Sequence, residues 1–262
     1  MYNFDFVKPS TLAEAVAALA ESEAQPLSGG QTLLPTMKQR LNAPSALVSL
    51  TGIADLKGVR RDGDTLVIGA ATTHATVAAE AVAHYPALAA LAGGIGDPAV
   101  RNRGTLGGSL ANNDPSACYP SAVLASGATI VTDRRQIAAD DFFQGMFTTA
   151  LKPGEIITAV HFPIPEKAAY AKFLQPASRF ALTGAFVAKY RDGVRVAITG
   201  ASESGVFRWT EAETALSSNF SAAALAGMAA EAEGMIGDLH GTPAYRAHLC
   251  GVMTRRAVSA AG

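Results

Sequence analysis

Apolar residues at helical spacing predict five helices along the chain. Thr11 and Glu14 have the spacing of a capping box, so the first helix is expected to begin there. One face of that helix is then apolar, formed by Leu12, Ala15, Val16, Leu19 and Ala20. Similar runs, rich in alanine and leucine, predict further helices at 76–92, 117–125, 221–236 and 242–260.

Short runs of β-branched and apolar residues predict the strands. They lie at 46–50, 64–70, 128–132 and 155–163. Two more apolar runs within 182–202 are separated by Asp192 and Gly193, a pair typical of a hairpin turn. The segment "PIPEKAAY" at 163–170 separates the two groups of elements. The pattern therefore predicts an α+β fold in two parts, divided near residue 166.

Two glycine pairs interrupt this pattern. Gly29 and Gly30 lie in "SGGQTLLP", and Gly107 and Gly108 lie in the long polar segment 96–115. Glycine permits positive φ and lets a ligand approach the backbone, and consecutive amides in such a turn bind anions. A single glycine pair is nevertheless more often an ordinary turn. Neither stretch is the spaced dinucleotide fingerprint or the phosphate loop ending in Gly-Lys-Ser/Thr.

Composition excludes several classes of protein. The 262 residues suffice for one large domain or two ordinary ones, and 49% of them are hydrophobic. With 21 basic and 22 acidic residues, the chain lacks the charge of a general nucleic-acid binder. Cys118 and Cys250 are too few for an iron–sulfur cluster or a structural zinc site, and no ligand-spaced histidines occur. No leader or membrane-length apolar run is seen, so a cytoplasmic protein with reduced cysteines is expected.

The residues around the two glycine pairs carry a resemblance to a known family. "SGGQTLLPTMKQRL" and "GTLGGSLANNDPSACYP", about 75 residues apart, resemble the flavin-binding (medium) subunit of molybdenum hydroxylases. This family includes carbon monoxide dehydrogenase and the flavin domain of xanthine dehydrogenase. The resemblance also covers "FDFVKPSTLAEAVAAL", "GEIITAVHFP", "AYAKF" and "AYRAHLCGVMTRRAV".

The resemblance implies two domains. The first is an FAD-binding domain of the vanillyl-alcohol-oxidase (PCMH) type at 1–166, with two subdomains that meet near 51–56. The second is a smaller α+β domain at 167–262, in which a sheet packs with helices. FAD is expected to be bound non-covalently, with its pyrophosphate between the two glycine loops, and no catalytic or metal-binding residue is expected in this chain.

The family's cofactor residues transfer to positions in this sequence. Ile157 matches an aliphatic residue beside the isoalloxazine ring, Lys172 a lysine near the flavin, and Phe180 an aromatic residue that packs near the ring in some relatives. The implied cofactor-binding residues are Ser28, Gly29, Gly30, Gln31, Thr32, Leu33, Thr105, Gly107, Gly108, Ser109, Asn112, Asp114, Ile157 and Lys172.

Two positions depart from the family pattern. Gln31 replaces a histidine that is frequent in carbon monoxide dehydrogenases, but its amide still donates hydrogen bonds. Cys118 stands where many relatives have Asp or Glu, so a carboxylate contact to the flavin is missing or shifted. We interpret Cys118 as a small, semi-buried residue at a helix start rather than a reactive thiol.

Other conspicuous residues have simple interpretations. Trp209 is expected to pack in the interior rather than stack on a flavin, and His161 to be structural or a surface polar residue. Arg101 and Arg103 lie just before the second glycine pair. Either a contact with phosphate or a contact with a partner subunit is open for them.

The family implies a division of chemistry between subunits. A large subunit with molybdopterin cytosine dinucleotide or a related molybdenum cofactor oxidises the substrate. Two-iron two-sulfur clusters on a small subunit carry electrons to FAD, which passes them to NAD, a quinone, a cytochrome or oxygen. A heterotrimer, itself dimerised, is expected. Alternatives are a free-standing flavin-dependent reductase or oxidase of the same fold, and a nucleotide-binding module without redox activity.

Overall fold

The predicted α+β fold is confirmed. The computed structural model describes residues 1–20 and 23–262, and its strands form four sheets with helices packed against them. The helices are α1 Leu12–Leu19, α2 Leu33–Lys38, α3 His74–Glu80, α4 Pro86–Gly93, α5 Pro98–Arg101, α6 Leu106–Asn112, α7 Tyr119–Ala125, α8 Ala139–Phe142, α9 Thr210–Ser218 and α10 Pro243–Ala261. The strands are β1 Asp5–Val7, β2 Ala24–Leu27, β3 Ala46–Ser49, β4 Val59–Asp62, β5 Thr65–Gly69, β6 Thr129–Thr132, β7 Gln136–Ala138, β8 Phe143–Gly145, β9 Thr148–Thr149, β10 Ile157–Pro163, β11 Lys167–Leu174, β12 Ala181–Tyr190, β13 Gly193–Ser202 and β14 Gly205–Arg208.

The N-terminal layer is a three-stranded parallel sheet in the order β1-β3-β2. Helix α1 packs on it and buries Ala15 and Leu19 beside Val48. The helix begins as the sequence predicts, because the Thr11 side chain accepts a hydrogen bond from the Glu14 amide (3.2 Å). The first glycine pair follows β2 of this layer.

The second layer is a five-stranded antiparallel sheet in the order β4-β5-β10-β6-β7. In its centre, Val160 of β10 pairs with Ile68 on one side and with Ile130 on the other. The helix predicted at 76–92 is instead two helices, α3 and α4. Pro86 occupies the first turn of α4, and Tyr85 before it leaves the helical conformation (φ −145°, ψ 74°), since the proline ring restricts its predecessor.

The third layer is a four-stranded antiparallel sheet in the order β11-β12-β13-β14, covered by α9 and α10. The predicted hairpin is confirmed, but its turn is at Arg191 and Asp192 rather than at Asp192 and Gly193, because Gly193 pairs with Tyr190 within the sheet. Helix α10 is close to the helix predicted at 242–260, and the side chain of Thr242 caps it by accepting a hydrogen bond from the Tyr245 amide. Trp209 is buried in this layer's core, as expected for a packing residue.

One predicted helix is wrong. The segment 221–236 forms only a short 3-10 turn at Ala222–Leu225 and then irregular structure. Gly227 and Gly234 both have φ of +74°, a conformation that ends a right-handed helix. The alanine-rich composition favours a helix locally, but these glycines interrupt it. The polar segment 96–115, in turn, is not a continuous loop because it holds α5 and α6.

The change of sheet falls between β10 and β11. Strand β10 ends at Pro163 in the five-stranded sheet, whereas β11 begins at Lys167 in the four-stranded sheet. The two layers touch, because the Tyr190 hydroxyl donates to the Pro163 carbonyl (3.1 Å). The domain limits at 166 and near 51–56 stay predictions. No helix in the described part of the chain is long and apolar enough to cross a membrane.

Candidate functional site

A cavity of about 980 Å³ lies between the first layer, the second glycine pair and the start of β10. Its volume is in the range of cofactor-binding pockets. Every implied cofactor residue except Lys172 lines it, namely Ser28, Gly29, Gly30, Gln31, Thr32, Leu33, Thr105, Gly107, Gly108, Ser109, Asn112, Asp114 and Ile157. The fold therefore brings the two distant glycine stretches to one cavity.

The first loop, Ser28–Leu33, connects β2 to α2. Gly30 has φ of +68°, so the chain turns there in a conformation that favours glycine. The backbone N–H groups of residues 29 to 33 donate to no acceptor in the ranges that the structure describes. Since all of these residues line the cavity, the loop offers a row of free amides to a bound anion.

The second loop, Gly104–Ser109, uses its amides differently. The Leu106 amide donates to the Thr72 carbonyl (3.1 Å) and the Gly107 amide to the Ala70 carbonyl (2.8 Å). The Gly108 amide donates to the Thr105 hydroxyl (3.2 Å). The expectation that both loops present free amides therefore holds for the first loop alone. The second loop and α6 contribute two polar side chains to the cavity, the Ser109 hydroxyl and the side-chain amide of Asn112. Neither side chain bonds to another described residue.

The two loops are in direct contact. A methyl group on Gly29 would lie 2.2 Å from the Arg103 carbonyl oxygen and 2.6 Å from Gly104 Cα, so no side chain fits there. The Thr105 hydroxyl also donates to the Ser28 hydroxyl (2.8 Å). The second loop thus acts as a brace that holds the first loop in place.

The brace is itself packed on β5 and α3. A methyl group on Gly107 would lie 2.6 Å from Ala70 Cβ and 2.9 Å from the Ala70 carbonyl oxygen. On the other side, a methyl group on Gly104 would lie 2.5 Å from the His74 ring. Burial, with a smaller contribution from Arg101, lowers the pKa of His74 to about 4, so this imidazole is neutral near neutral pH.

The charged residues in the cavity wall are acidic. Asp114 and Glu155 line it, and the lining residues of the described chain include no Lys or Arg. Arg135 contacts the Glu155 carboxylate (2.9 Å) and lowers its pKa to about 2. A bound phosphate would therefore be met by backbone amide dipoles rather than by cationic side chains. No group of three or more His, Cys, Asp or Glu residues within 1–20 and 23–262 is arranged to hold a metal ion.

Part of the cavity lining is apolar. Ile156 and Ile157 contribute nearly buried side chains at the start of β10, and Phe180 adds an aromatic ring. The register of β10 against β6 shifts between Ile157 and Ala159, a local irregularity that redirects side chains next to the cavity. Such side chains could pack against a flat, apolar ring system, while the specific role of Ile157 stays a prediction.

Lys172 lies outside the lining of the cavity. Its Nζ donates to the carbonyls of Gly94 (2.8 Å) and Arg179 (3.0 Å) and to the Cys118 sulfur (3.4 Å). Cys118 is buried, in agreement with its interpretation as a small packed residue. The Arg101 guanidinium donates to the Ile95 and Gly96 carbonyls, so its hydrogen bonds are made within its own segment of the chain. A role of Lys172 toward the flavin stays a prediction.

Sequence reasoning missed the residues that support the brace. Gly104 stands next to the second glycine pair in "RNRGT" and could have been found as a further close-approach position. Ala70 and His74 give no such signal, because a small residue at a strand end and a single histidine are common in any core. Their importance follows from contacts between distant parts of the chain.

A row of free amides and apolar side chains in one cavity fit the class of proteins that bind an anionic, ring-bearing cofactor. Comparison with known proteins names the family. Residues 2–165 match the family model described as the FAD binding domain in molybdopterin dehydrogenase. The chain belongs to this family.

The relatives are similar over nearly the whole chain. The carbon monoxide dehydrogenase medium chain of Afipia carboxidovorans is 34% identical, covering 99% of this chain and 96% of the relative. The nicotine 6-hydroxylase medium subunit of Paenarthrobacter nicotinovorans is 35% identical, covering 98% and 96%. The solved structure of reconstituted CO dehydrogenase from Oligotropha carboxidovorans superposes with a TM-score of 0.91 at 33% identity, covering 99% of this chain and 98% of that one.

Proposed function

We propose that this chain is the flavoprotein subunit of a heteromeric molybdenum hydroxylase. It holds one non-covalent FAD, takes electrons from two-iron two-sulfur clusters of a small partner subunit and passes them to an external acceptor. The substrate is oxidised on a large partner subunit that carries molybdopterin cytosine dinucleotide or a related molybdenum cofactor. The observation that best supports this proposal is the row of free amides at residues 29 to 33, which line a cavity large enough for a dinucleotide.

The residues present fit FAD. The amides of the first loop would hold the pyrophosphate, the Ser109 and Asn112 side chains would reach polar parts of the cofactor, and Ile157 would cover a ring face. Bound FAD would supply a two-electron store between one-electron clusters and the acceptor. The protein's own part is to position this group and to shield it from water. Medium-subunit relatives belong to multi-subunit enzymes by their names, which supports a heterotrimer, itself dimerised, as the assembly.

The first test concerns cofactor binding. Gly108→Val places a branched side chain in the gap between the two loops, where a Cβ would meet Thr105 Oγ1 at 2.9 Å and then only Ser28 Cβ at 3.8 Å. We expect the flavin occupancy of the purified variant, measured as the ratio of flavin to protein absorbance, to fall roughly tenfold. The far-UV circular dichroism should stay native-like, and acid precipitation of wild type should release the yellow chromophore. Full occupancy in the variant would contradict the proposed site.

The second test concerns the assembly. Co-expressed with a molybdopterin subunit and an iron–sulfur subunit, the chain should co-purify with molybdenum and iron and reduce an acceptor dye when substrate is added. Alone, it should retain flavin and show no activity with the same substrate. If the single chain oxidises substrate at the rate of the complex, the free-standing reductase or oxidase is the correct reading and the subunit assignment is wrong.

A further inference from the structure

An exposed aromatic residue lines the proposed cofactor cavity. The Phe147 side chain is 61% exposed, and among the large apolar side chains exposed in the described ranges it alone lines this cavity. Leaving a phenyl ring in water forgoes the free energy that its burial would contribute. An aromatic ring in a cavity wall is, in contrast, a good contact surface for a flat ligand.

The backbone holds Phe147 in an unfavourable conformation. Met146 and Phe147 form the turn between β8 and β9, and Phe147 has φ of +56°. At the second residue of a tight turn this conformation favours glycine or asparagine, and a bulky residue is an outlier. Glycine would form the same turn at lower cost, so turn geometry does not explain the aromatic side chain. Strained residues of this kind cluster at ligand-binding sites.

Asn113 fixes the position of this turn. Its side-chain amide donates to the Gly145 and Thr148 carbonyls (2.7 and 2.9 Å), and its own carbonyl accepts a hydrogen bond from the Phe147 amide (3.0 Å). Asn113 is buried, and the residues on either side of it both line the cofactor cavity. The segment that forms part of the cavity wall therefore also determines where Phe147 lies.

The turn lies next to Phe180. Met146 and Phe180 both line a smaller cavity that adjoins the first, while Phe147 and Phe180 both line the first. Gly205 of β14 packs on the turn, since a methyl group there would lie 3.5 Å from the Gly145 carbonyl carbon and from the Met146 nitrogen. The turn is therefore supported by the third layer as well as by Asn113, and it places a second phenyl ring beside Phe180.

We propose that Phe147 is a cofactor-binding residue that covers the isoalloxazine ring of FAD, and that Asn113 is the residue that positions it. This deepens the proposed function and rests on it. Two phenyl rings in one part of the wall offer an apolar surface suited to the isoalloxazine, the larger ring system of FAD. Covering this ring slows release of the cofactor and limits the access of solutes to it.

The experiment measures the release of FAD from the purified FAD-containing protein. After dilution, the fluorescence of released FAD is followed with time, and iodide quenching of the bound flavin reports access to its ring. Phe147→Gly removes the phenyl ring at a position where φ favours glycine, so the turn and the far-UV circular dichroism should be retained. We expect release to become roughly fivefold faster and iodide quenching to increase.

Met146→Gly is the matched control. It introduces glycine into the same turn at a residue that does not line the cofactor cavity, so release and quenching should match wild type. Unchanged release and quenching in Phe147→Gly would overturn the proposal. Equal acceleration in Met146→Gly would also overturn it, because the flexibility of the turn would then be the cause. A wild-type protein that purifies without flavin would instead refute the proposed function.

Asn113→Gly tests the positioning role. Glycine accepts the left-handed conformation of this residue (φ +43°) but removes the two side-chain hydrogen bonds to the turn. We expect FAD release about threefold faster than in wild type. Combined with Phe147→Gly, the substitution should add nothing further, because the ring that it positions is then absent. Effects that multiply in the double variant would overturn the role of Asn113.

Discussion

The first and second loops contain the same Gly-Gly pair and meet at one cavity, but their backbones serve different purposes. The first loop leaves its amides free, with Gly30 in the left-handed region. The amides of the second loop donate hydrogen bonds to the Thr72 and Ala70 carbonyls and to the loop's own Thr105 hydroxyl. The first loop is therefore a cradle for a ligand, and the second is a brace for the cradle.

This difference shows that a glycine pair has no single meaning. Glycine is required at positions 29 and 107 because a neighbouring backbone or side chain leaves no room for a methyl group on Gly29 or Gly107. At Gly30, glycine is favoured because φ is positive. In the proposed function, the free amides of the first loop bind the cofactor directly, and the glycines that let the two loops touch act indirectly. Substitutions at these positions separate the two kinds of requirement.

The largest effect is expected for Gly29→Ala. The added methyl group would overlap the Arg103 carbonyl oxygen, and rigid backbone cannot move aside cheaply. We expect the free energy of unfolding to drop by about 3 kcal/mol and flavin occupancy to be lost. Urea unfolding and the flavin absorbance ratio measure both. Gly93→Ala is the control, because its new methyl group would meet only Ala78 Cβ at 3.8 Å.

Gly107→Ala should cost about 2 kcal/mol in urea unfolding, since the new methyl group overlaps Ala70. The double variant with Ala70→Gly removes one of the two close contacts, the one with Ala70 Cβ, and should recover part of the loss. If the two substitutions prove additive instead, the overlap is not the cause and the brace does not rest on β5 in this way.

The brace should also respond to pH through His74, whereas the cradle should not. The pKa of His74 in the folded protein, about 4, lies below the usual 6.5, so the folded protein disfavours protonation of this imidazole. Stability from this group is present above pH 6.5 and declines as pH falls toward 4, by about 1 kcal/mol per pH unit. His74→Gln should flatten the pH dependence of unfolding in this window. An unchanged slope would show that His74 does not titrate as described.

The smallest effect is expected for Gly30→Ala, about 1 kcal/mol in unfolding free energy, because alanine tolerates the left-handed region poorly. Gly30→Asn should cost less, since asparagine adopts this conformation more readily. Equal losses in both variants would point to the nearby Leu34 side chain, at 2.9 Å from a new methyl group, rather than to φ.

Local signals in the sequence predicted much of the fold. The cap at Thr11 and the hairpin between β12 and β13 depend on neighbouring residues, and both are confirmed, the hairpin with its turn one residue earlier than predicted. The prediction of a helix at 221–236 was wrong because it gave more weight to the alanine-rich composition than to the two glycines that interrupt the helix. The glycine stretches were visible, but their asymmetry was not, because it depends on residues such as Ala70 and Thr72 that are distant in sequence.

The contact between cradle and brace also has a consequence for the order of folding. The hydrogen bond from Thr105 to Ser28 joins residues 77 positions apart. During synthesis the cradle emerges first, and its brace follows only after β4, β5 and the helices α3 to α5 have been made. Such a distant contact forms slowly compared with helices and hairpins. Flavin loading is thus expected to follow the contact between brace and cradle, and a chain that stops before the brace should not hold the cofactor.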